Sequence, residues 1–179
     1  MLKLQGKRIY LAALEREHCR KLYEDDEYDF DHITEPLHIG ASIESADEWY
    51  TDIQKRYKDG ENIRLGVFLN DGTVIGDIAL QELCWRNRNC SLGLGFAKLA
   101  NRCQGYGKEA VMLMLDYAFG NLGLHRVMAY TWGTNLAGQK ALESAGFVLE
   151  GRERQGRWVA GQWTDCLHYS MLHDEWKGR

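Results

Sequence analysis

The first half of the chain combines runs that have strand character with segments that have a helical period. Residues 8–14 (RIYLAAL) predict a first strand, and EREHCRKLYED predicts the helix that follows it. Further along, Asn-Asp-Gly separates the runs IRLGVFL and TVIGDIALQEL. These three residues between two apolar runs predict a β-hairpin, because they favour the positive φ angles that such a turn requires.

The strongest helical pattern covers residues 45–60. Ser45 and Glu48 have the spacing of a capping box at its start, and Gly60 has the position of a C-terminal stop. A period of four residues predicts one apolar stripe, formed by Trp49, Ile53 and Tyr57. We therefore expect a helix here with this stripe as its apolar side.

The second half predicts a mixed α/β order with one strand–helix–strand crossover. Residues 90–97 predict a strand that its glycines weaken. The elements predicted after it are a helix over 107–119, a strand over 125–132, a helix over 135–146 and a final antiparallel pair, FVLEGRE with QWTDCLHYSML. The chain contains no repeat or linker, and its length suits one domain over residues 1–179.

Composition narrows the class of protein. The formal net charge of -4 disfavours nucleic-acid binding, which needs a basic surface. The five cysteines include no C-x-x-C pair, so we expect no metal site, no disulfide framework and a reducing, cytoplasmic location. We find no apolar run of ~18 residues and no long apolar segment near the start, and we therefore expect neither a membrane span nor a signal peptide.

The stretch RCQGYGKEA places Gly105 and Gly107 directly before an apolar helical run. The first turn of a helix has backbone N–H groups without intrahelical acceptors, and the helix dipole adds partial positive charge there. Glycines let a ligand approach those groups, and Arg102 and Lys108 add charge, so the stretch predicts an anion site suited to a pyrophosphate. The alternative is a glycine turn that only begins a helix.

Two commoner phosphate loops fit this stretch less well. The P-loop pattern G-x-x-x-x-G-K-[ST] is absent. GYGKEA matches the alanine variant of the dinucleotide motif, but that motif follows the first strand of its fold, whereas this turn lies past the middle of the chain. A nucleotide-linked oxidoreductase is therefore a weaker alternative.

Four segments in order resemble the Gcn5-related N-acetyltransferases, the GNAT family, which use acetyl-CoA. RCQGYG fits the family signature Q/R-x-x-G-x-G/A, and RNCSLGLGFA resembles the fourth strand of the family. GKEAVMLMLDYAFGNLGLHRV resembles its central helix and fifth strand, and NLAGQKALESAGF the helix led by an asparagine, here Asn135. EGRERQGRWVAGQWTDCLHYSMLHDEW resembles the C-terminal strands. The branch most resembled contains ribosomal-protein N-terminal acetyltransferases and spermidine acetyltransferases.

The resemblance implies a mixed α/β fold, with a mostly antiparallel seven-stranded sheet that is splayed between strands four and five and flanked by about four helices. The pantetheine arm of acetyl-CoA would hydrogen-bond Gly95, Phe96 and Ala97 in the splay, and Asn135 near the thiol. The pyrophosphate would contact the turn formed by Arg102, Cys103, Gln104, Gly105, Tyr106, Gly107 and Lys108. Relatives often pair through their C-terminal strands, which makes a homodimer a possible assembly.

The chain departs from the family at the positions that carry proton transfer. Ser91 stands where many relatives have a glutamate base, Leu142 where many have a tyrosine acid, and Gly138 where some N-terminal acetyltransferases have a serine. Other polar groups on predicted strands become candidates in their place. The candidate catalytic residues are Ser91, Glu82 and Asp165, with Tyr130 and His168 as further possibilities that also suit ordinary strand positions.

The sequence thus predicts an enzyme that transfers an acetyl group from acetyl-CoA to a primary amine by direct attack in a ternary complex. A missing base favours an α-amine over a polyamine, since an amine of pKa ~8 is ~200-fold more neutral at pH 7 than one of pKa ~10.4. The acidic stretch at residues 24–31 would attract cationic acceptors, or be a solvated loop. The second class of function is a weakly catalytic acyl-CoA sensor or partner-binding module.

Overall fold

The computed structural model describes residues 3–27 and 42–176 of the chain, which form one sheet with helices on both faces. The strands are β1 (Lys3–Gln5), β2 (Ile9–Ala12), β3 (Ile63–Leu69), β4 (Val74–Cys84), β5 (Asn89–Phe96), β6 (Arg126–Trp132), β7 (Val148–Val159) and β8 (Gln162–Leu172). The α-helices are α1 (Arg16–Glu24), α2 (Ile43–Lys58), α3 (Tyr106–Leu115) and α4 (Leu136–Ala145).

The strands follow the order β1-β2-β3-β4-β5-β6-β8-β7, and every neighbouring pair is antiparallel except β5 and β6. A parallel pair needs a crossover, which α3 supplies. The predicted fold class is confirmed. The sheet has eight strands rather than the expected seven, because Lys3–Gln5 pair with β2 and add a short strand at one edge.

The sheet opens between its two parallel strands. β5 and β6 pair from Asn89 with Arg126 as far as Leu92 with Ala129, and no pairing continues beyond that point although both strands do. The C-terminal halves of the two strands therefore diverge. The resulting gap is the predicted splay, and it leaves one side of β5 without a neighbouring strand.

Hydrophobic clusters cover both faces of the sheet. The larger cluster joins the sheet to α3 and α4, and it includes the fully buried Val111 and Met114 of α3. The smaller cluster joins the other face to α1 and α2 through Leu22, Ile53 and Phe68. Together these clusters fix the helices on either side of the gap.

The start of α2 differs from the prediction. The helix begins at Ile43 with Ser42 as N-cap, and the N–H of Ser45 already donates to the carbonyl oxygen of Ser42 at 3.0 Å. The capping box predicted for Ser45 and Glu48 is therefore wrong. Two serines lie three residues apart here, and the pattern of the chain did not distinguish which of them caps the helix.

The end of α2 agrees with the prediction better than its stripe does. Gly60 follows the C-cap residue Asp59 and has a φ of +72°, the left-handed conformation expected of a C-terminal stop. Ile53 is buried, but Tyr57 is 62% exposed. The buried stripe is therefore shorter than the four-residue period indicated.

The predicted hairpin is present, with Gly72 at a φ of +94° between β3 and β4. The helix predicted over 107–119 ends as an α-helix at Leu115 and continues as a wider π-helical segment, Asp116–Asn121. No helix within residues 3–27 and 42–176 has the length and apolar content that crossing a membrane would require.

Candidate active site

The gap between β5 and β6 exposes backbone groups of β5 selectively. Ala97 donates its N–H to the carbonyl oxygen of Ile75 at 3.2 Å, and its own carbonyl oxygen accepts the N–H of Glu27 at 2.9 Å. The carbonyl oxygen of Gly95 faces β4. Consecutive residues of a strand direct their backbone groups to opposite sides. Of the three residues predicted to bond pantetheine, Phe96 is therefore the one that directs its backbone groups into the gap.

The glycine-rich turn has the backbone conformation that its sequence suggests. Cys103 has a φ of +58° and Gly105, the N-cap of α3, a φ of +82°. Residues in this conformation direct successive N–H groups to one side, a geometry that binds anions. Residues 103–105 and Lys108 are exposed to solvent. The residues predicted to hold a pyrophosphate thus lie together at an accessible helix start.

Arg8, a residue that the sequence did not indicate, contacts this turn from the bend just before β2. Its Nη1 donates to the carbonyl oxygen of Gln104 at 2.8 Å, and its guanidinium lies 4.9 Å from the ring centre of Tyr106. Its Nε also contacts a carboxylate oxygen of Glu109 at 3.3 Å. Burial alone would raise the pKa of Glu109, but hydrogen bonds from the backbone of Arg8 and Lys7 hold it below its usual value.

Gly107 lies against two side chains of β5. A Cβ on this residue would lie 3.4 Å from Cδ2 of Leu94 and 3.6 Å from Cε2 of Phe96, which is ordinary van der Waals contact. The packing of helix on strand therefore does not itself require a glycine here. Its position brings the helix start, with its N–H groups, next to the open side of β5.

Asn135 is the N-cap of α4. Its Oδ1 accepts the N–H of Gly138 at 2.9 Å, which orients its Nδ2 amide as a donor. A Cβ on Gly138 would lie 2.7 Å from both Asn135 Nδ2 and Thr131 Oγ1. A serine at position 138 would therefore displace the two polar groups next to it, which explains the glycine that stands there.

Three buried polar atoms near the end of β6 have no hydrogen-bond partner within the described part of the chain: Thr131 Oγ1, Trp132 Nε1 and Thr134 Oγ1. Leaving such an atom unpaired costs about 1–3 kcal/mol, so a group of them favours a ligand or ordered water. Thr131 adjoins Asn135, and pantetheine carries amide groups able to pair with both. The residues around the gap therefore fit acetyl-CoA.

Glu82 reaches the position where the family's base is missing. β4 contains a bulge between Gln81 and Cys84, and Glu82 within it has a φ of +53°. Asn62 Oδ1 stabilises the bulge by accepting the N–H of Glu82 at 3.1 Å. Ser91 Oγ donates to Glu82 Oε2 at 3.1 Å. The carboxylate of Glu82, on β4, thus lies next to position 91 of β5.

Tyr130 lies at the mouth of the gap on the same face as this pair. Ser91 pairs with Met128 across the parallel strands, and Tyr130 is two residues further along β6, just past the last paired residue, Ala129. Burial raises the pKa of Tyr130, and the carboxylate of Glu82 raises it further. Its phenol therefore remains protonated at neutral pH and can donate a hydrogen bond.

A cavity of about 320 Å³ adjoins Glu82 between α2 and the sheet, and its lining consists of Trp49, Asp52, Ile53, Arg56, Asn62, Arg64, Gln81 and Glu82. Its charges are mostly paired inside the protein. Arg56 Nε contacts Asp52 Oδ2 at 2.8 Å, and Arg64 contacts Asp77. Burial raises the pKa of Asp77, and the opposing effect of Arg64 is smaller. The cavity thus offers an aromatic wall and a carboxylate at one end.

Asp165 lies on the other face of the sheet. Side chains of β8 alternate between the two faces of the sheet, and that of Asp165 is on the face covered by α4, where it lines a second cavity with Gln139. The carboxylate of Asp165 accepts hydrogen bonds from Arg152 Nη1 at 3.2 Å and from the N–H of Gln155 at 2.8 Å. The structure therefore brings Ser91 and Glu82 together and separates Asp165 from them. The contacts of Asp165 stabilise the irregular part of β7.

The two remaining candidate positions have contrasting surroundings. Leu142, where relatives have a tyrosine, is 7% exposed and belongs to the larger core cluster. His168 lies beside Tyr130 with ring centres 5.0 Å apart, and its Nε2 is 3.4 Å from Glu153 Oε2. Leu142 is therefore a core residue, whereas His168 places an imidazole next to Tyr130.

The acidic stretch at residues 24–31 is partly engaged within the protein. Asp25 forms ion pairs with Lys21 at 2.8 Å and with Lys98 at 3.3 Å, and the carboxylate of Glu27 accepts a backbone N–H just after β5 at 2.7 Å. These contacts attach the end of α1 to the end of β5 and reduce the charge available for attracting ligands. Residues 28–31 lie outside the described part of the chain.

A splayed sheet, an exposed glycine turn at a helix start and a carboxylate near the gap are the features that the resemblance to acetyl-CoA-dependent acetyltransferases implied. The family model described as "Acetyltransferase (GNAT) domain" matches residues 8–148. The chain belongs to the GNAT family, and it is an acetyltransferase. The predicted family and enzyme class are confirmed.

Two relatives of Bacillus subtilis (strain 168) are similar in sequence. The chain is 30% identical over 177 residues to "Probable N-acetyltransferase YjcK", covering 96% of this chain and 98% of that protein. It is 34% identical over 129 residues to "Putative ribosomal N-acetyltransferase YdaF", covering 71% and 68%.

Solved structures agree in fold. A structure described as a probable acetyltransferase has a TM-score of 0.86 at 28% identity, covering 98% of this chain and 99% of that one. Spermidine N-acetyltransferase from Vibrio cholerae in complex with CoA and spermine has a TM-score of 0.82 at 22% identity, covering 95% and 98%. A neighbour in fold has thus been solved with CoA bound.

Sequence reasoning missed the contact between Glu82 and Ser91, although it named both residues. The contact depends on the bulge in β4, because a regular strand would give no reason to place Glu82 next to Ser91. The mark of the bulge is a positive φ at a non-glycine residue, and no residue pattern in the sequence indicates such a φ. Arg8 was missed because its partners lie about a hundred positions away. The three unpaired polar atoms likewise became visible only once their surroundings were known.

Proposed function

We propose that this enzyme transfers an acetyl group from acetyl-CoA to a neutral primary amine, and that Glu82 is its general base. The observation that carries the proposal is the 3.1 Å hydrogen bond between Ser91 Oγ and Glu82 Oε2, one residue before the last β5–β6 pair, at Leu92. It provides a carboxylate next to the strand along which the thioester would lie. Acetyl-CoA would lie with its pyrophosphate at residues 102–108 and its pantetheine between Phe96 and Asn135.

The chemistry is a direct attack in a ternary complex. The amine nitrogen attacks the carbonyl carbon of the thioester, the new C–N bond forms, and the C–S bond breaks as CoA thiolate leaves. Glu82 takes the proton that the amine loses, either directly or through the hydroxyl of Ser91. Such a group contributes about 10²–10⁴-fold to a rate.

The leaving thiolate needs less help than the amine. A thiol has a pKa of ~8.5, so its anion is a tolerable leaving group in water. Tyr130, at the mouth of the gap and held in its protonated form, is the proposed donor to that thiolate. Its contribution is accordingly expected to be smaller than that of Glu82.

The charges of the cavity favour an acceptor with a single amine, such as a protein or peptide α-amine. Besides Glu82, the one carboxylate among the lining residues is Asp52, which is paired with Arg56, so the cavity offers a polyamine few carboxylates. An α-amine is also easier to deprotonate than an alkyl amine, because its pKa is ~8 rather than ~10.4. The relative at 34% identity is named a ribosomal N-acetyltransferase, which agrees with this choice of acceptor.

The test is a thiol-release assay with acetyl-CoA and a matched set of amines. The set contains a short peptide with a free α-amine, the same peptide blocked at its N-terminus but carrying a lysine, and spermidine. We expect the largest kcat/KM for the free α-amine. Binding of acetyl-CoA without release above thioester hydrolysis for any amine would contradict the proposal and favour an acyl-CoA sensor.

A further inference from the structure

A second group of polar side chains lies beside Tyr130, across β7 and β8. Cys166 and His168 are two residues apart on β8 and share one face, and Glu153 of β7 pairs with Cys166 from the adjacent strand. One atom from each, a sulfur, an imidazole nitrogen and a carboxylate oxygen, lies within 4.8 Å of both others. The proposed acetyl transfer uses none of these three atoms.

The separations suit a small tetrahedral ion. Bonds of ~2.3 Å to sulfur and ~2.0 Å to nitrogen or oxygen imply ligand atoms about 3.3–3.6 Å apart. His168 Nε2 and Glu153 Oε2 are already 3.4 Å apart. The sulfur of Cys166 lies within 4.8 Å of the other two atoms, so reaching a separation of about 3.5 Å needs a change of about 1.3 Å or less, within the range of a side-chain rotation.

The surroundings also resemble those of metal sites in proteins. Cys166 is 1% exposed, whereas Glu153 is exposed and His168 is half-buried, so an ion would have a dry sulfur side and an open side for water. Among the described residues that affect the ionisation of Cys166, Arg157 is the one cation. The guanidinium of Arg157 lies over the ring of Trp132, 5.1 Å from its centre, and this stacking engages its charge with the indole.

We propose that Glu153, Cys166 and His168 bind a zinc ion, with water completing the tetrahedron. Cysteine sulfur, imidazole nitrogen and carboxylate oxygen are the ligand types that this borderline-soft ion selects, whereas magnesium and calcium require oxygen. Binding replaces the thiol proton of Cys166 by the metal, and the proton passes to the solvent. Three ligands and an open position are the arrangement of zinc sites that keep an exchangeable water.

Cobalt(II) is the probe, because it occupies zinc sites and reports thiolate ligation by a charge-transfer band in the near ultraviolet. Adding Co²⁺ to the reduced, metal-free full chain should produce this band, with one ion bound per chain, and Zn²⁺ should abolish it. Cys166→Ser should remove the band. Glu153→Gln, a change at an exposed residue that leaves the fold intact, should weaken Zn²⁺ binding at least about tenfold.

The matched control is Cys84→Ser, a half-buried cysteine on β4 outside the cluster. This variant should retain the band and the Zn²⁺ affinity of the unmodified chain. Absence of the band in the unmodified chain, its survival in Cys166→Ser, or an unchanged Zn²⁺ affinity in Glu153→Gln would each overturn the proposal. None of these measurements depends on acetyl transfer, so the outcome is separate from that of the proposed enzyme activity.

Discussion

The two parts of the candidate site, the glycine turn and the Glu82–Ser91 pair, differ in how far apart their residues lie in the chain. The turn is one continuous stretch, and part of its conformation follows from a local rule: a glycine, Gly105, has positive φ directly before a helix start. The pair joins neighbouring strands through a bulge that Asn62 holds from a third segment. The glycine turn can be recognised from a short motif, whereas the Glu82–Ser91 pair depends on the register of neighbouring strands.

This difference matters for function because binding and chemistry rest on different parts. In the proposed arrangement, holding CoA needs only the turn and the gap, but a base needs a carboxylate within hydrogen-bonding distance of the amine. In this chain position 91 on β5 is a serine, and the proposed base is Glu82 of β4, which the serine contacts. Variants that affect only the turn or only the Glu82–Ser91 pair therefore test whether CoA binding and catalysis depend on separate parts of the site.

The largest effect is expected for Glu82→Gln, which removes the proposed base and keeps its size. We expect kcat with the preferred amine to fall about 10²–10⁴-fold while the affinity for acetyl-CoA stays unchanged. Steady-state kinetics and calorimetry measure the two quantities. Glu61→Gln, an exposed glutamate outside the cavity, is the control. A kcat within twofold of the unmodified enzyme would assign the proton to another group.

Gly107→Val tests the binding part. The side chain would press on Leu94 and Phe96 and keep a phosphate from the helix start, so affinity for acetyl-CoA should fall by about 2 kcal/mol, or roughly thirtyfold. The control is Gly120→Val, where an added Cβ meets nothing within 4 Å. An unchanged dissociation constant in a folded Gly107→Val protein would remove the turn from the CoA site.

Tyr130→Phe separates the leaving group from the attack. Because a thiolate of pKa ~8.5 leaves without much assistance, kcat should fall by no more than about tenfold. The raised pKa of Tyr130 keeps the phenol protonated to above ~10, so any basic limb that it causes should appear only there and vanish in the variant. A loss as large as that of Glu82→Gln would show that protonation of the thiolate limits the rate.

The smallest effect is expected for Glu109→Gln and concerns stability. The folded-state pKa of Glu109 is lowered, so its contribution is fully present above the unfolded value of ~4.3 and is lost as pH falls through the folded value. Unfolding in denaturant should therefore show a deficit of about 1 kcal/mol at pH 7 that disappears in strong acid. A deficit independent of pH would mean that packing, and not charge, is responsible.

Some predictions from the sequence remain predictions. They include one domain over residues 1–179, a cytoplasmic location and a homodimer. The catalytic roles of Ser91, Glu82 and Asp165 also stay predictions. Asp165, on β8, contacts Arg152 and Gln155 of β7.

The sequence by itself determined the elements, the order that makes a GNAT fold, and the turn at residues 102–108. These depend on local preferences: apolar period, glycine at positive φ and the residues that begin or end a helix. It was less informative at the cap of α2, since Ser42 and Ser45 are equivalent candidates until the packing of the helix selects one.

Only the tertiary structure decided which of the polar candidates meet. The bulge at Glu82, the end of β5–β6 pairing after Leu92 and the opposite direction of Asp165 follow from strand register, and register depends on the side chains of several strands at once. A shift by one residue reverses the face of every side chain on a strand. Contacts between distant segments therefore determine the chemistry of this site, although the family could be identified from contiguous stretches.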